Sequence, residues 1–340
     1  MSVADAEATA SPAEHDAAAS LLHMRAQGVS VLLQLKPSGL PVILHWGADL
    51  GDLDGSSADA LLAAFGPTGL DPLPSMMSSL VPEPSAGWSS RAALAGSHDG
   101  YTSAASFTRS HARLISDAAV LPGLTEVGAD TVIVEAEDRV NRLSLDLAIQ
   151  LTGNGLVRCR AGVTNHNVAD YRLEALELFL PVSDLATHRI EFDGPALSTA
   201  ALRSGSWSVD HVGFDDRPAQ LALGEAGAGF RRGQVWQVHV AFSGAVQHRV
   251  ERTAYGRTYL GGGEFLQAGE IVLATGGDYH SPWIVWTWGD GLDAAAARPH
   301  RHLQHEAPRD NRIIFDAAAP AFAHHDRQAM LSLAEYAAAV

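Results

Sequence analysis

Between residues 143 and 166 two arms of strand-forming residues flank a short turn, a pattern that commits this part of the chain to a β-hairpin. In LSLDLAIQL (143–151), Leu143, Leu145, Leu147, Ile149 and Leu151 alternate with mostly polar residues, which puts one face of a strand in a core. Thr152-Gly153-Asn154-Gly155 follows, with an Asn-Gly pair suited to the positive φ angles of a tight turn. The second arm is LVRCRAGVTNH (156–166).

The same rhythm recurs along the chain. VSVLLQL (29–35), the turn residues Pro37, Ser38 and Gly39, and PVILHW (41–46) predict another hairpin. Further strands are expected at 102–108, 130–138, 173–182, 234–244, 264–274 and 282–288. Such a series suggests stacked antiparallel sheets. Residues 51–98 break it, being rich in Asp, Gly, Pro and Ser, and predict a long irregular excursion of the kind that often carries function.

Helical patterns come late, at 291–306, with Pro299 expected to shorten or kink the helix, and at roughly 325–339, rich in strong helix formers. Between them RIIFDA (312–317) reads as a strand, giving one βα unit without partner strands. Residues 1–20 are Ala-rich and acidic and read as a poorly ordered leader, not a signal peptide.

A formal net charge of −16 argues against nucleic-acid binding, which needs a basic face. No apolar run is long enough to span a bilayer. Cys159 is the only cysteine, so no intrachain disulfide or Cys-based zinc site can form. These features predict a cytoplasmic chain without nucleic-acid or membrane partners, and no cofactor is expected.

Several motifs invite a chemical reading that their spacing does not sustain. His300, His302 and His305 lack metal-binding spacing on a helix, and His324-His325-Asp326 reads better as a helix start. Asp49, Asp52 and Asp54 lack the twelfth-position acid of a calcium loop. Gly261-Gly262-Gly263 opens no helix, so a bulge or turn is expected. No Gly-x-Ser-x-Gly elbow is present. The carboxylates Glu135, Glu137, Asp138, Glu174 and Glu177 are expected on solvent-facing strand positions. Trp286 and Trp288 share a strand face while Trp283 takes the other; core packing is favoured there over a sugar-stacking platform.

Five segments in order resemble the bacterial α-galactosidases of glycoside hydrolase family 36: LPVILHWGADLGDL (40–53), GWSSRAALAGSHDG (87–100), QVWQVHVAFSG (234–244), residues 260–303 with their Gly-Glu and Pro-Trp positions, and residues 312–340. The resemblance implies a mainly β chain, an antiparallel β-supersandwich with C-terminal helices, leading into a (β/α)8 barrel. On it the chain divides into a leader (1–20), an N-terminal supersandwich domain (21–306) and a truncated barrel start (307–340).

In such barrels the chemistry sits at the C-terminal ends of the strands. The family's nucleophile and general acid are aspartates on later barrel strands, so the resemblance implies no catalytic residue within 1–340 and no activity of this chain alone. The family activity it implies is hydrolysis of terminal α-galactosides, those sugars being partners only if a barrel is supplied. Homo-oligomers are implied as well.

The family's N-terminal loops reach towards the active site, which makes Trp46, Asp49, Trp88 and Arg91 the candidate substrate-binding residues. The sequence departs from the family at Asp316–Pro320, with Ala318 where a pocket Trp is usual. It departs again at Ala245-Val246, where Asn-His is usual, and at Pro299, where Phe is usual. A non-catalytic supersandwich module binding carbohydrate or protein is the alternative reading.

Overall fold

A computed structural model of the 340-residue chain describes residues 20–36, 38–65, 79–101, 104–116, 118–120, 123–193, 196–202, 205–211, 220–253, 256–306 and 327–339. The proposed leader, apart from Ser20, lies outside the described residues. So do RIIFDA (312–317), the Asp316–Pro320 stretch and the His324-His325-Asp326 run.

Among the described residues twenty-one strands dominate. In order they are β1 (Ser20–Ala26), β2 (Val29–Leu35), β3 (Val42–Ala48), β4 (Leu94–His98), β5 (Arg109–Leu114), β6 (Gly123–Val127), β7 (Thr131–Asp138), β8 (Leu143–Leu151), β9 (Val157–Asn165), β10 (Tyr171–Leu176) and β11 (Leu178–Val182). They continue with β12 (His188–Asp193), β13 (Ala196–Ala201), β14 (Gly205–His211), β15 (Gln220–Gly224), β16 (Gln234–Ala241), β17 (Val246–Arg252), β18 (Thr258–Glu264), β19 (Ile271–Leu273), β20 (Asp278–His280) and β21 (Trp283–Asp290). The helices are α1 (Gly55–Phe65), α2 (Leu292–Glu306) and α3 (Arg327–Ala339). The described chain forms two compact units, 1–301 and 302–340; the second holds the end of α2 and all of α3.

The strands form four sheets, ordered β3-β2-β1-β6, β19-β10-β4, β11-β18-β17-β14 and β13-β12-β15-β16-β21-β9-β8-β7-β5, with β20 added on β9. Pairing is antiparallel except for β1 with β6. One continuous apolar core joins the inner faces of all four, including Leu22 and Val31, Leu173, Phe179 and Leu260, and Leu145, Leu147, Trp236 and Trp286. The mainly β, antiparallel architecture is the one that the alternating pattern predicts. Residues Leu143 to Leu151 bury every second side chain.

Five local expectations are corrected. Asn154 does not take a positive φ; Gly155 alone does, at 78°, and the turn is closed by the Gly155 N–H on Thr152 O at 2.9 Å. The strand expected at 102–108 begins instead at Arg109, where pairing with Glu137 starts. Residues 51–98 contain α1, whose Leu61 and Leu62 close a second small core over Leu21, Leu32, Val42 and Leu44.

The three glycines at 261–263 lie inside β18, not in a turn. A side chain there would meet neighbouring backbone, a Cβ at Gly261 falling 2.0 Å from Leu178 O, so the bare strand is a packing requirement. Finally, Pro299 does not end its helix; α2 runs on to Glu306.

Candidate functional site

The first pair of candidate residues sits where β3 leaves its sheet. Gly47 takes φ +137° and lies against two indoles, a Cβ there falling 3.2 Å from Trp236 Nε1; only glycine suits this backbone and this gap. The neighbouring Trp46 is buried, and its ring N–H donates to Pro181 O on β11.

Two residues on, Asp49 turns its carboxylate onto Arg25 of β1. Arg25 Nε donates to Oδ1 at 2.8 Å and Nη2 to Oδ2 at 2.9 Å, the two-pronged geometry that suits guanidinium to carboxylate. The Ser30 hydroxyl and the Gly51 N–H also donate to Oδ1. The Arg25 hydrogen bonds hold the Asp49 carboxyl well below the usual carboxylate range, against a smaller opposing effect of burial. Asp52 takes a third Arg25 hydrogen bond.

The second pair lies on the segment before β4. Trp88 is buried, with Phe179 and Tyr259 at ring-centroid distances of 5.7 and 5.1 Å, and its N–H donates to Arg91 O at 3.0 Å. Arg91 keeps its side chain half exposed while Nη2 donates to Glu177 and Gln247.

Trp46 and Trp88 thus both end on β11, one at Pro181 and the other at Phe179. Asp49 and Arg91 belong to two separate polar groups. Of the four candidates, these last two keep polar side chains in contact with solvent.

Behind Arg91 lies a group that the sequence reading misplaced. Glu177 was expected on a solvent-facing strand position, yet it is buried between Arg91 and Arg249, and Arg249 also pairs with Glu251. Burial pushes the Glu177 carboxyl up, opposed by the two guanidinium groups. Asp138 was misplaced in the same way. It is buried and accepts N–H groups from Ser106, Val140, Asn141 and the Asn141 side chain. A signal was present in β17, where Gln247, Arg249 and Glu251 occupy alternate positions of a strand buried on both faces.

A further polar row crosses the large sheet. His111, Glu135, Asp146, Gly162 and His280 are successive partners across β5, β7, β8, β9 and β20, and the His280 ring lies over the bare Cα of Gly162. Partial burial, then the Glu135 charge, raises the Asp146 carboxyl above its ordinary range. Trp286 is buried, its N–H donating to Leu260 O, and Arg158 stacks 4.8 Å from the Trp283 ring centre. Among the described residues no group of three or more His, Cys, Asp or Glu side chains is placed to hold a metal ion. None of the described helices is long and apolar enough to cross a membrane.

Comparison with known proteins places this architecture. The chain is 28% identical over 195 residues to an α-galactosidase of Escherichia coli, a match covering 53% of this chain and 27% of that protein. Its fold is similar to the α-galactosidase of Lactobacillus brevis, with a TM-score of 0.68 at 17% identity over 84% of this chain and 41% of the other. It is also similar to a family 36 α-galactosidase variant of Geobacillus stearothermophilus solved in complex with raffinose, with a TM-score of 0.64 at 18% identity over 82% and 42%. The chain therefore spans less than half the length of each of these relatives. The model of the glycosyl hydrolase family 36 N-terminal domain matches residues 39–274, and the chain belongs to that family.

Proposed function

We propose that residues 1–340 are the N-terminal part of an α-galactosidase-type glycoside hydrolase, with a β-domain at 21–306 that borders a catalytic barrel without contributing the two catalytic aspartates. The observation that carries this reading is the family match over residues 39–274, supported by the likeness of fold to family 36 α-galactosidases.

Retaining glycosidases place two carboxyl groups roughly 5–5.5 Å apart across the scissile bond. Asp138 and Glu177 are committed to buried internal partners, which fits a reading in which a barrel carries the chemistry. In this reading Trp46 and Trp88 fix the backbone of the two loops, and Asp49 and Arg91 are the groups offered to a sugar. Both can serve galactoside hydroxyls, a carboxylate accepting and a guanidinium donating.

The test is an assay of the purified 340-residue chain on a nitrophenyl α-galactoside, beside a chimera in which it replaces the matching N-terminal segment of the Escherichia coli relative. No turnover by the chain alone and turnover by the chimera are expected. Turnover that follows the lone chain through purification would overturn the assignment, as would a folded chimera without activity.

A further inference from the structure

An arginine head carries five N–H hydrogens, one on Nε and two on each Nη, and it grips an anion through two of them lying parallel. Two such pairs exist, Nη1 with Nη2 and Nε with Nη2. The Arg25–Asp49 contact uses the second. Each pair draws one hydrogen from Nη2, so whatever occupies both hydrogens of that nitrogen closes both grips.

In Arg91 they are occupied. Nη2 donates to Glu177 Oε1 and to Gln247 Oε1. Both acceptor side chains are buried, and Glu177 Oε2 is held in turn by Arg249 Nη1. The main chain is fixed as well, since Arg91 O accepts from Trp88 Nε1 at 3.0 Å and from Arg249 Nη2 at 3.2 Å. Yet the Arg91 side chain stays 52% exposed, and its Nε and Nη1 have no hydrogen-bond partner among the described residues. A ligand therefore meets three hydrogens, none of them part of a free parallel pair.

The charges point the same way. Arg91 and Arg249 are two cations, and Glu177 and Glu251 are two anions. The group carries no net charge to draw an anion in. Gln247 completes it without upsetting that balance, because an amide oxygen accepts a hydrogen and brings no charge.

We infer that Gln247 is a positioning residue that sets the specificity of Arg91. With Glu177 it takes up both Nη2 hydrogens, so that Arg91 offers single donors suited to hydroxyl oxygens and turns away carboxylate and phosphate groups. The hydroxyls are a galactoside's only if Arg91 meets the sugar as proposed above; the closed grips follow from the hydrogen count alone.

Inorganic phosphate is the probe. It is titrated into the intact chain while the Arg91 Nε–H signal is followed by NMR, the signal being identified by its loss in Arg91→Lys. Gln247→Ala frees one Nη2 hydrogen and the space beside it. Phosphate should then shift the signal at concentrations roughly tenfold or more below any that act on the unaltered chain, the worth of one hydrogen bond to a charged group. An equal response in the two chains overturns the inference, and so does no response in either. Should Gln247→Ala fail to fold, the unaltered chain decides. Two hydrogen bonds on Nη2 should block rotation about the Cζ–Nη2 bond and give Arg91 two separate Nη2 hydrogen signals; one averaged signal overturns the inference. In the chimera with the Escherichia coli relative, phosphate should also inhibit hydrolysis once Gln247→Ala is introduced. An inactive chimera, or phosphate bound at Arg91 without inhibition, overturns the sugar reading, while the NMR titration still decides whether the grips are closed.

Discussion

The Thr287 hydroxyl donates to Ala295 O at 2.8 Å, supplying the hydrogen that Pro299, four residues further along α2, cannot give. Proline inside a helix removes the N–H that would bond the carbonyl four residues earlier, and here that carbonyl belongs to Ala295. Both residues are buried, so water is no substitute. Thr287→Val keeps the shape and removes the donor. The expected cost is about 1–3 kcal/mol, the penalty of leaving a buried carbonyl unpaired. Paired with Pro299→Ala, which restores the backbone donor, the same substitution should cost less. A double-mutant cycle by denaturant unfolding measures the difference.

Glu177 and Arg249 form the most deeply buried ion pair described, each side chain 2% exposed. Removing one partner strands the other charge, whereas replacing both with apolar groups removes the burden altogether. Arg249→Met should therefore destabilise the chain by roughly 3–5 kcal/mol, since it also strips Glu251 of its guanidinium. Glu177→Leu together with Arg249→Met should destabilise by less than Arg249→Met alone. Equal losses in the single and double variants, measured by urea unfolding, would show that Glu251 and Arg91 set the cost instead.

Glu83 gives the chain a stability that depends on pH. Its carboxyl is 7% exposed and burial pushes it up to about 7, against the hydrogen bond from the Phe107 N–H and with help from the Asp138 charge. Below about pH 4.5 the group is protonated in both folded and unfolded chains and contributes no difference. Between there and pH 7 the folded chain keeps a proton that the unfolded chain releases, so stability falls as pH rises. The loss levels off above 7 at about 3.5 kcal/mol, the gap from 4.5 to 7 taken at 1.4 kcal/mol per unit. Glu83→Gln keeps an acceptor for Phe107 and removes the titration. Its melting temperature should change less than that of the unaltered chain between pH 5 and 8; parallel curves would sink the idea.

How much of this was legible in the sequence depends on whether the determinant is local. The hairpin from Leu143 to Asn165 was readable because alternation and turn chemistry act within a few residues, although the turn's geometry was not: only Gly155 needed a left-handed backbone. Helix α1 was missed because Gly55-Ser56-Ser57-Ala58-Asp59-Ala60 carries little apolar periodicity; among its described side chains Leu61 and Leu62 pack on the small outer core. Asp138 and Glu177 were read outward because a charge on a strand is usually solvated. What overrides that rule for Glu177 is Arg249, 72 residues away in sequence. Trp46, Asp49, Trp88 and Arg91 stood out only through the family resemblance, and Trp46 lies within β3 and not in a loop. The partners that fix them, Pro181, Arg25, Phe179 and Glu177, did not stand out, since each lies far from its partner along the chain or on another element.

Cys159 offers a probe of the whole fold. It lies in the centre of the large sheet on β9, paired in register with Ile149 on one side and Ile284 on the other, and it is fully buried. Burial pushes its thiol far above the ordinary range, so both access and the reactive thiolate are denied to a reagent. A thiol-specific reagent should leave the native chain unlabelled and should label one site per chain in denaturant. Because this is the only cysteine, the labelling rate under native conditions reports how often the central sheet opens. Arg249→Met should speed it if the buried ion pair and the large sheet unfold as one cooperative unit. An unchanged rate, alongside a measured loss of stability at the ion pair, would mean that the two sheets open separately.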